Sequence, residues 1–292
     1  MPGRIAIART VTSRPDEDGA VTDALLTPER RSKKVGTLPD QARFVLAAVR
    51  RCLPEDVAAT PGANARVGVS LGTFHGSMDV AERCLRTMSG GGFREVTPSW
   101  YATGLPNATA AIVASVHELA GPNLTMLGYQ AGIEAIVMAC RQILAGRATA
   151  MLAGGFDLPS PHFAARLAGA AEYDGTGTIH AGAGLVWLRP GDAGEPAGAT
   201  VVGWSQGAIG TGETDRDVVA RLIAAASAGP PDRHPAVHLV RPEGGGAVDH
   251  LAATAPIRLV DAIVGNGEPG LHALVVRGFG ASAACLLVEK AV

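Results

Sequence analysis

The strongest constraint on this chain lies between residues 124 and 154. There a strand-length apolar run, Leu124–Gly128, meets a long apolar helix through a sharp corner at Tyr129-Gln130. Over Ala131–Ala145 the residues Ile133, Ile136, Val137, Cys140, Ile143 and Leu144 recur at helical spacing, and a second strand-length run follows at Ala150–Gly154. A helix apolar around most of its girth belongs in an interior. Strands without polar alternation must likewise be covered on both faces. The unit therefore demands a layered α/β core.

The rest of the chain repeats that grammar. Arg4–Ala8 reads as a short strand, and a polar connector leads to a helix from Pro39 to about Cys52. "RVGVSLG" (66–72) is a strand, "MDVAERCLRTM" (78–88) a helix, and a further helix after Pro106-Asn107 is stopped by Gly121-Pro122. Apolar runs at 183–189 and 200–206 predict neighbouring strands. A helix over 216–226 and strands at 236–240, 271–277 and 284–290 complete a shorter echo. The alternation predicts a mostly parallel sheet covered on both faces. Between Gly244 and Leu271 the pattern supports about one further strand and no long helix. The Gly- and Pro-containing stretch 190–199 divides the chain into a first half, 1–190, and a shortened second half, 191–292.

Composition narrows the function classes. A net charge of −2 supplies no clustered positive field for nucleic acid. No window approaches the ~20 apolar residues of a membrane helix, and the N-terminus lacks a signal peptide's apolar stretch. Four cysteines without CxxC spacing, each in an apolar setting, predict reduced packed thiols and a cytoplasmic location, with no metal site and no cofactor.

The corner at Gln130 carries the chemistry. It faces the positive end of a helix, where unpaired N–H groups favour an anion and a cysteine would be activated as a thiolate. An amide there can only donate and accept hydrogen bonds. Two readings stand: Gln130 satisfies backbone groups at a tight corner, or it replaces a nucleophile.

The stretch from Pro106-Asn107 through Gly121-Pro122 and Gln130 to "GGFD" (154–157) resembles the β-ketoacyl synthase pattern. "DGTGTIHAGAGLVWL" (174–188) and the closing "ALVVRGFGASAACLLVE" (273–289) strengthen the resemblance. It implies a thiolase-like fold, a five-layer α-β-α-β-α sandwich of two related halves, here with a shortened C-terminal half. In that family a Cys transfers the acyl group and two His residues promote decarboxylation. Gln130 falls on the Cys, and Glu243, before three glycines, falls on the first His. No copy of the second His motif is found between residues 247 and 271.

That pattern is similar to the chain length factor subunits of type II polyketide synthases, in particular the short forms of aryl-polyene-like, highly reducing systems. The resemblance implies no catalytic residue, with Gln130 and Glu243 as degenerate positions. It also implies a heterodimer with an active ketosynthase, and an acyl carrier protein that reaches the complex through that partner. Thr109, Ile112, Val113, Val116, Tyr129 and Gln130 are the expected tunnel or interface residues. The alternatives are a malonyl-carrier decarboxylase using Gln130, a non-catalytic acyl-binding homodimer, and a degenerate paralogue.

Other features have plainer readings. Cys140 keeps helical apolar spacing and is expected to pack. His75, in "GTFHGS", has no acid or second ligand beside it. His180 is expected to be a hydrogen-bonded loop residue. Arg30, Arg31, Lys33 and Lys34 read as a solvated run or a carrier-protein contact, and Trp100 and Tyr101 as packing or a tunnel mouth. "GAIGTG" (207–212) lacks the Lys of a phosphate loop.

Overall fold

The computed structural model describes residues 4–15, 38–59, 64–170, 178–191, 198–227, 234–241, 248–279 and 281–292. Glu243 and the Arg30–Lys34 cluster lie outside them. Strands are β1 (Ile5–Ser13), β2 (Val67–Thr73), β3 (Asn123–Leu127), β4 (Ala150–Asp157), β5 (Gly182–Pro190), β6 (Ala199–Ala208), β7 (Ala236–Val240), β8 (Gly270–Arg277) and β9 (Ser282–Lys290). The α-helices are α1 (Asp40–Cys52), α2 (Glu55–Ala59), α3 (Met78–Gly91), α4 (Pro98–Thr103), α5 (Ala108–Val116), α6 (Ala131–Leu144), α7 (Pro161–Ala168), α8 (Asp215–Ala226) and α9 (Thr254–Arg258).

The strands run in the order β3-β2-β4-β5-β1-β6-β9-β8-β7. Two half-sheets meet where β1 pairs with β6 through Ile5–Val201, Ala6–Thr200 and Ile7–Ala199. Each side chain's face follows the period-two alternation of a strand. In β9, Ala284, Leu286 and Val288 join a central cluster that also holds Ile133, Ile136, Val137 and Cys140 of α6. Ala283, Cys285 and Leu287 point the other way, onto Val218 and Leu222 of α8. In β5, Val186 and Leu188 face the centre, whereas Leu185 and Trp187 pack with Phe44 and Val49 of α1 and Val113 of α5. The layers are therefore α1/α5, first half-sheet, α6 with α9, second half-sheet, α8. This is the five-layer arrangement expected of the resemblance.

Three sequence expectations need correction. The sheet is mixed: β2 pairs in parallel with β3 and β4, and β7 with β8, whereas β1–β5, β1–β6, β4–β5, β6–β9 and β8–β9 are antiparallel. Strands buried on both faces lose polar alternation in either orientation, so an apolar run cannot reveal strand direction. β1 extends to Ser13, past Ala8, because β-branched Thr10, Val11 and Thr12 continue its pairing with β5.

The third correction matters most for the site. Between β7 and β8 a 3₁₀ turn (Leu251–Ala253) leads into α9, which continues as wider π-type turns over Leu259–Gly265. Where the residue pattern supports no long helix, one is present as the counterpart of α6, in the central layer. Leu251, Leu259 and Ile263 are fully buried there. Burying each such side chain stabilises the fold by roughly 1.5–3 kcal/mol.

The two central helices approach closely. A Cβ added to Gly132 of α6, or to Gly155 of β4, would stand 2.2 Å from the Ala252 carbonyl oxygen. Only glycine leaves room for that backbone.

Candidate functional site

The corner before α6 is made by Gly128, whose φ of +131° suits glycine and whose N–H bonds the Thr73 carbonyl at 3.1 Å. Gln130 then occupies the helix N-cap. Its backbone carbonyl accepts from the N–H groups of Ile133 and Glu134, at 3.0 and 3.1 Å. Its side chain does not cap the helix. Instead Nε2 donates to Ser282 Oγ at 2.9 Å, reaching the hairpin between β8 and β9. A Cβ on Gly278 would lie 2.1 Å from Gln130 Oε1, so the amide sits directly on that backbone. Burial raises the Glu134 carboxyl pKa, and a hydrogen bond from Gln130 opposes the rise.

Tyr129, 2% exposed, lies across the middle of the molecule. Its hydroxyl is 2.8 Å from the Arg241 carbonyl and 3.2 Å from Asp249 Oδ1, sharing one proton between two acceptors. Phe279 packs edge-on against the Tyr129 ring at 5.4 Å and against Phe74 at 5.2 Å. Phe74 in turn meets Phe163 of α7. The chain has six phenylalanines and three tyrosines, so gathering four of those nine beside one polar corner makes this an aromatic-walled site.

The second central helix contributes a residue that sequence reasoning missed. His250 immediately precedes Leu251, as Gln130 precedes Ala131. A histidine therefore does stand between residues 247 and 271, at a helix start. Asp249 anchors that start, accepting from Leu251 N at 2.8 Å and Thr254 Oγ1 at 2.7 Å. His250 Nδ1 lies 2.8 Å from the Ala181 carbonyl. A carbonyl only accepts, so Nδ1 carries the proton and the neutral ring keeps Nε2 as an acceptor. Burial lowers its pKa, favouring that neutral form.

Asp157 joins the halves behind this site. The fully buried carboxylate accepts from Thr73 Oγ1, the N–H groups of Phe74 and His75, and Ala252 N. Burial pushes its pKa up to about 7 against the pull of those four donors. His75 beside it is 2% exposed, and among the described residues neither ring nitrogen has a hydrogen-bond partner. Burial lowers its pKa to about 4, so the ring is neutral near pH 7.

The expected tunnel residues divide. α5 ends at Val116, and Glu118, at φ +52°, turns the chain away before the predicted stop. Thr109 and Val113 face inward, Thr109 lying 3.4 Å from Gln41 Nε2. Ile112 is half-buried and Val116 is 45% exposed. Cys140 is wholly buried, its thiol pushed up to about 12, which makes it a packing residue. His180 donates its N–H to the Asp249 carbonyl. Trp100 lies under the Arg83 guanidinium at 5.5 Å, and Tyr101 is exposed. In the 207–212 loop the Glu213 carboxylate already holds the Gly210 N–H. Among the described residues no cluster of three or more His, Cys, Asp or Glu could hold a metal, and no helix is long and apolar enough to cross a membrane.

The sequence model of the family "Beta-ketoacyl synthase, N-terminal domain" matches residues 23–177, more than half of the chain. No curated protein sequence matches it. Among solved structures, the ishigamide ketosynthase/chain length factor superposes with a TM-score of 0.80 at 18% identity, covering 99% of this chain and 100% of that one. A β-ketoacyl synthase from Burkholderia phymatum STM815 gives 0.71 at 16% identity, covering 100% and 99%. A type II polyketide ketosynthase, in complex with its acyl carrier protein and bound to the hexaketide, gives 0.65 at 15%, covering 100% of both chains. These likenesses establish a thiolase-like fold.

Proposed function

The chain belongs to the β-ketoacyl synthase family, and from that premise we propose that it is a catalytically silent chain length factor of a type II polyketide synthase. It pairs with an active ketosynthase in the cytoplasm and bounds the tunnel in which the polyketide grows. The observation that carries this reading is Gln130, an amide at the helix start where the family's nucleophile belongs. An amide cannot hold an acyl group as a thioester. Its Nε2 already donates to Ser282 Oγ within the chain, whereas a catalytic amide must turn its N–H toward the developing enolate. The shortened second half fits the reduced forms of highly reducing systems.

Pairing through the first half is supported by what that half leaves uncovered. β3 is an edge strand, paired with β2 on one side. Leu127 on it is 58% exposed, and Leu85, Phe93, Leu105 and Val116 on the β2–β3 connection are also exposed. An unpaired apolar edge with such a flank is a template for another chain. The partner performs condensation and receives the acyl carrier protein. Ile112 and Val116 of α5 set how far the growing chain extends. Each added CH₂ gains roughly 0.8 kcal/mol until overpacking at about 1–3 kcal/mol ends the gain.

Co-expression with a ketosynthase followed by sizing tests the pairing: one species of unequal subunits is expected, and two separate species refute it. Within the pair, Ile112→Ala and Val116→Ala shift products to longer chains. An unchanged product distribution removes α5 as the ruler. His250 favours a second reading, malonyl-carrier decarboxylation, because its Nε2 remains available as an acceptor. Carbon dioxide release by the isolated chain, abolished by His250→Ala, would establish that activity instead.

A further inference from the structure

The Gln130 amide is more completely seated than a vacated catalytic position requires. A residue that merely replaced a nucleophile could point anywhere within its pocket. Here Nε2 donates to Ser282 Oγ at 2.9 Å, 152 residues away. Oε1 rests against Gly278, where an added Cβ would stand 2.1 Å from it and displace the amide. Tyr129 holds the adjoining Phe279 ring. Two consecutive residues at the start of α6 thus grip the β8–β9 hairpin on both sides of its turn, whose ends close through Gly278 N and the Ser282 carbonyl at 2.9 Å.

We propose that Gln130 is an occluding group, held by Ser282 and seated on Gly278, which closes this chain's own pocket to pantetheine-borne acyl groups. The inference deepens the silent-subunit reading and rests on it for its purpose. A subunit that shapes a partner's tunnel gains from refusing the thioester itself, since an acyl chain bound in the wrong subunit cannot be extended. Ser282 is a positioning residue: it touches no substrate and acts by orienting the amide. The bond is half-buried and needs both partners, so the grip is lost with either residue.

The test uses the purified full chain with four sequences: wild type, Gln130→Ala, Ser282→Ala and Ser282→Thr. Two properties are read, hydrogen exchange across the β8–β9 hairpin and binding of hexanoyl-pantetheine. In the wild type the hairpin exchanges slowly and the probe does not bind at millimolar concentration. Gln130→Ala speeds hairpin exchange at least tenfold and admits the probe, and Ser282→Ala does the same in smaller measure. Ser282→Thr, which keeps the hydroxyl, behaves as wild type. Unchanged exchange in the central strands β4, β5 and β6 confirms that each variant is folded. Probe binding by the wild type, or a Gln130→Ala variant unchanged in both properties, overturns the proposal. Association with the ketosynthase is measured on the same proteins. Gln130→Ala associates normally if the surface reading holds, and a chain that occludes its pocket yet finds no partner refutes that reading alone.

Discussion

The two halves of this molecule share a plan but differ in what surrounds it. Each has a half-sheet, a central helix with a polar residue at its start, Gln130 or His250, and a helical outer layer. The first half adds β3 and the helices α3–α5, which lead from β2 to β3. In the second half β7 is followed, after one connection, by its central helix, and β7 is left as the sheet's other edge. The segment without a counterpart bears the exposed large apolar residues of the first half other than Leu144 of α6. The difference between the halves thus falls on the surface and spares the core; in the proposed pairing the second half is scaffold and the first is interface.

If both halves contribute equally to the core, equivalent truncations in the two central helices should cost the same. Ile136→Ala and Leu259→Ala each remove a fully buried side chain from the central cluster. Each is expected to lower unfolding free energy by about 2–5 kcal/mol. Chemical denaturation checks this. A negligible loss at Leu259 would mean that the second central helix is peripheral, breaking the symmetry.

A smaller effect sharpens the division of labour at the two edges. Leu127→Asp on β3 should weaken ketosynthase association at least tenfold, about 1.4 kcal/mol, while leaving the isolated chain's stability nearly unchanged. Val237→Asp on β7, also at an exposed edge position, should leave association untouched. Reversed results in a titration of the two variants would assign the interface to the second half.

A pH-dependent effect lies at the seam. His75, whose folded pKa is depressed from 6.5 to about 4, contributes stability that is present above pH 6.5 and lost as pH falls through 4. Asp157, raised from 3.8 to about 7, does the opposite: its contribution is full below 3.8 and lost as pH rises through 7. The two slopes oppose each other between pH 4 and 6.5 and flatten the wild-type profile. His75→Leu removes two unsatisfied nitrogens and should stabilise the protein by about 1–3 kcal/mol near pH 7. It should also expose the Asp157 slope, with stability falling as pH rises. A variant that kept the flat profile would show that His75 does not titrate as described.

Much of this architecture was legible because burial writes itself into composition. The α6 helix and β4 are apolar throughout, and their layer follows from that alone. Gln130 stood out because an apolar helix began with an amide. The second central helix was hidden by Pro256, by β-branched Ile257, Val260 and Ile263, and by a change from α-helical to π-type turns at Leu259 that defeats a fixed 3.6-residue period. With it His250 was overlooked, although Asp249 and Thr254 around it form a recognisable helix-start signal. The Gln130–Ser282 bond had no local signal at all, since its partners meet only when the sheet folds over the central helices. Strand direction was illegible for the reason that made the strands conspicuous.

Intact-mass measurement of this chain and its ketosynthase, incubated together and apart with acyl- and malonyl-loaded carrier protein, bears most directly on catalytic silence. The account predicts an acyl adduct on the ketosynthase and none on this chain under any condition. A covalent acyl adduct on this chain, alone or in the pair, would contradict it.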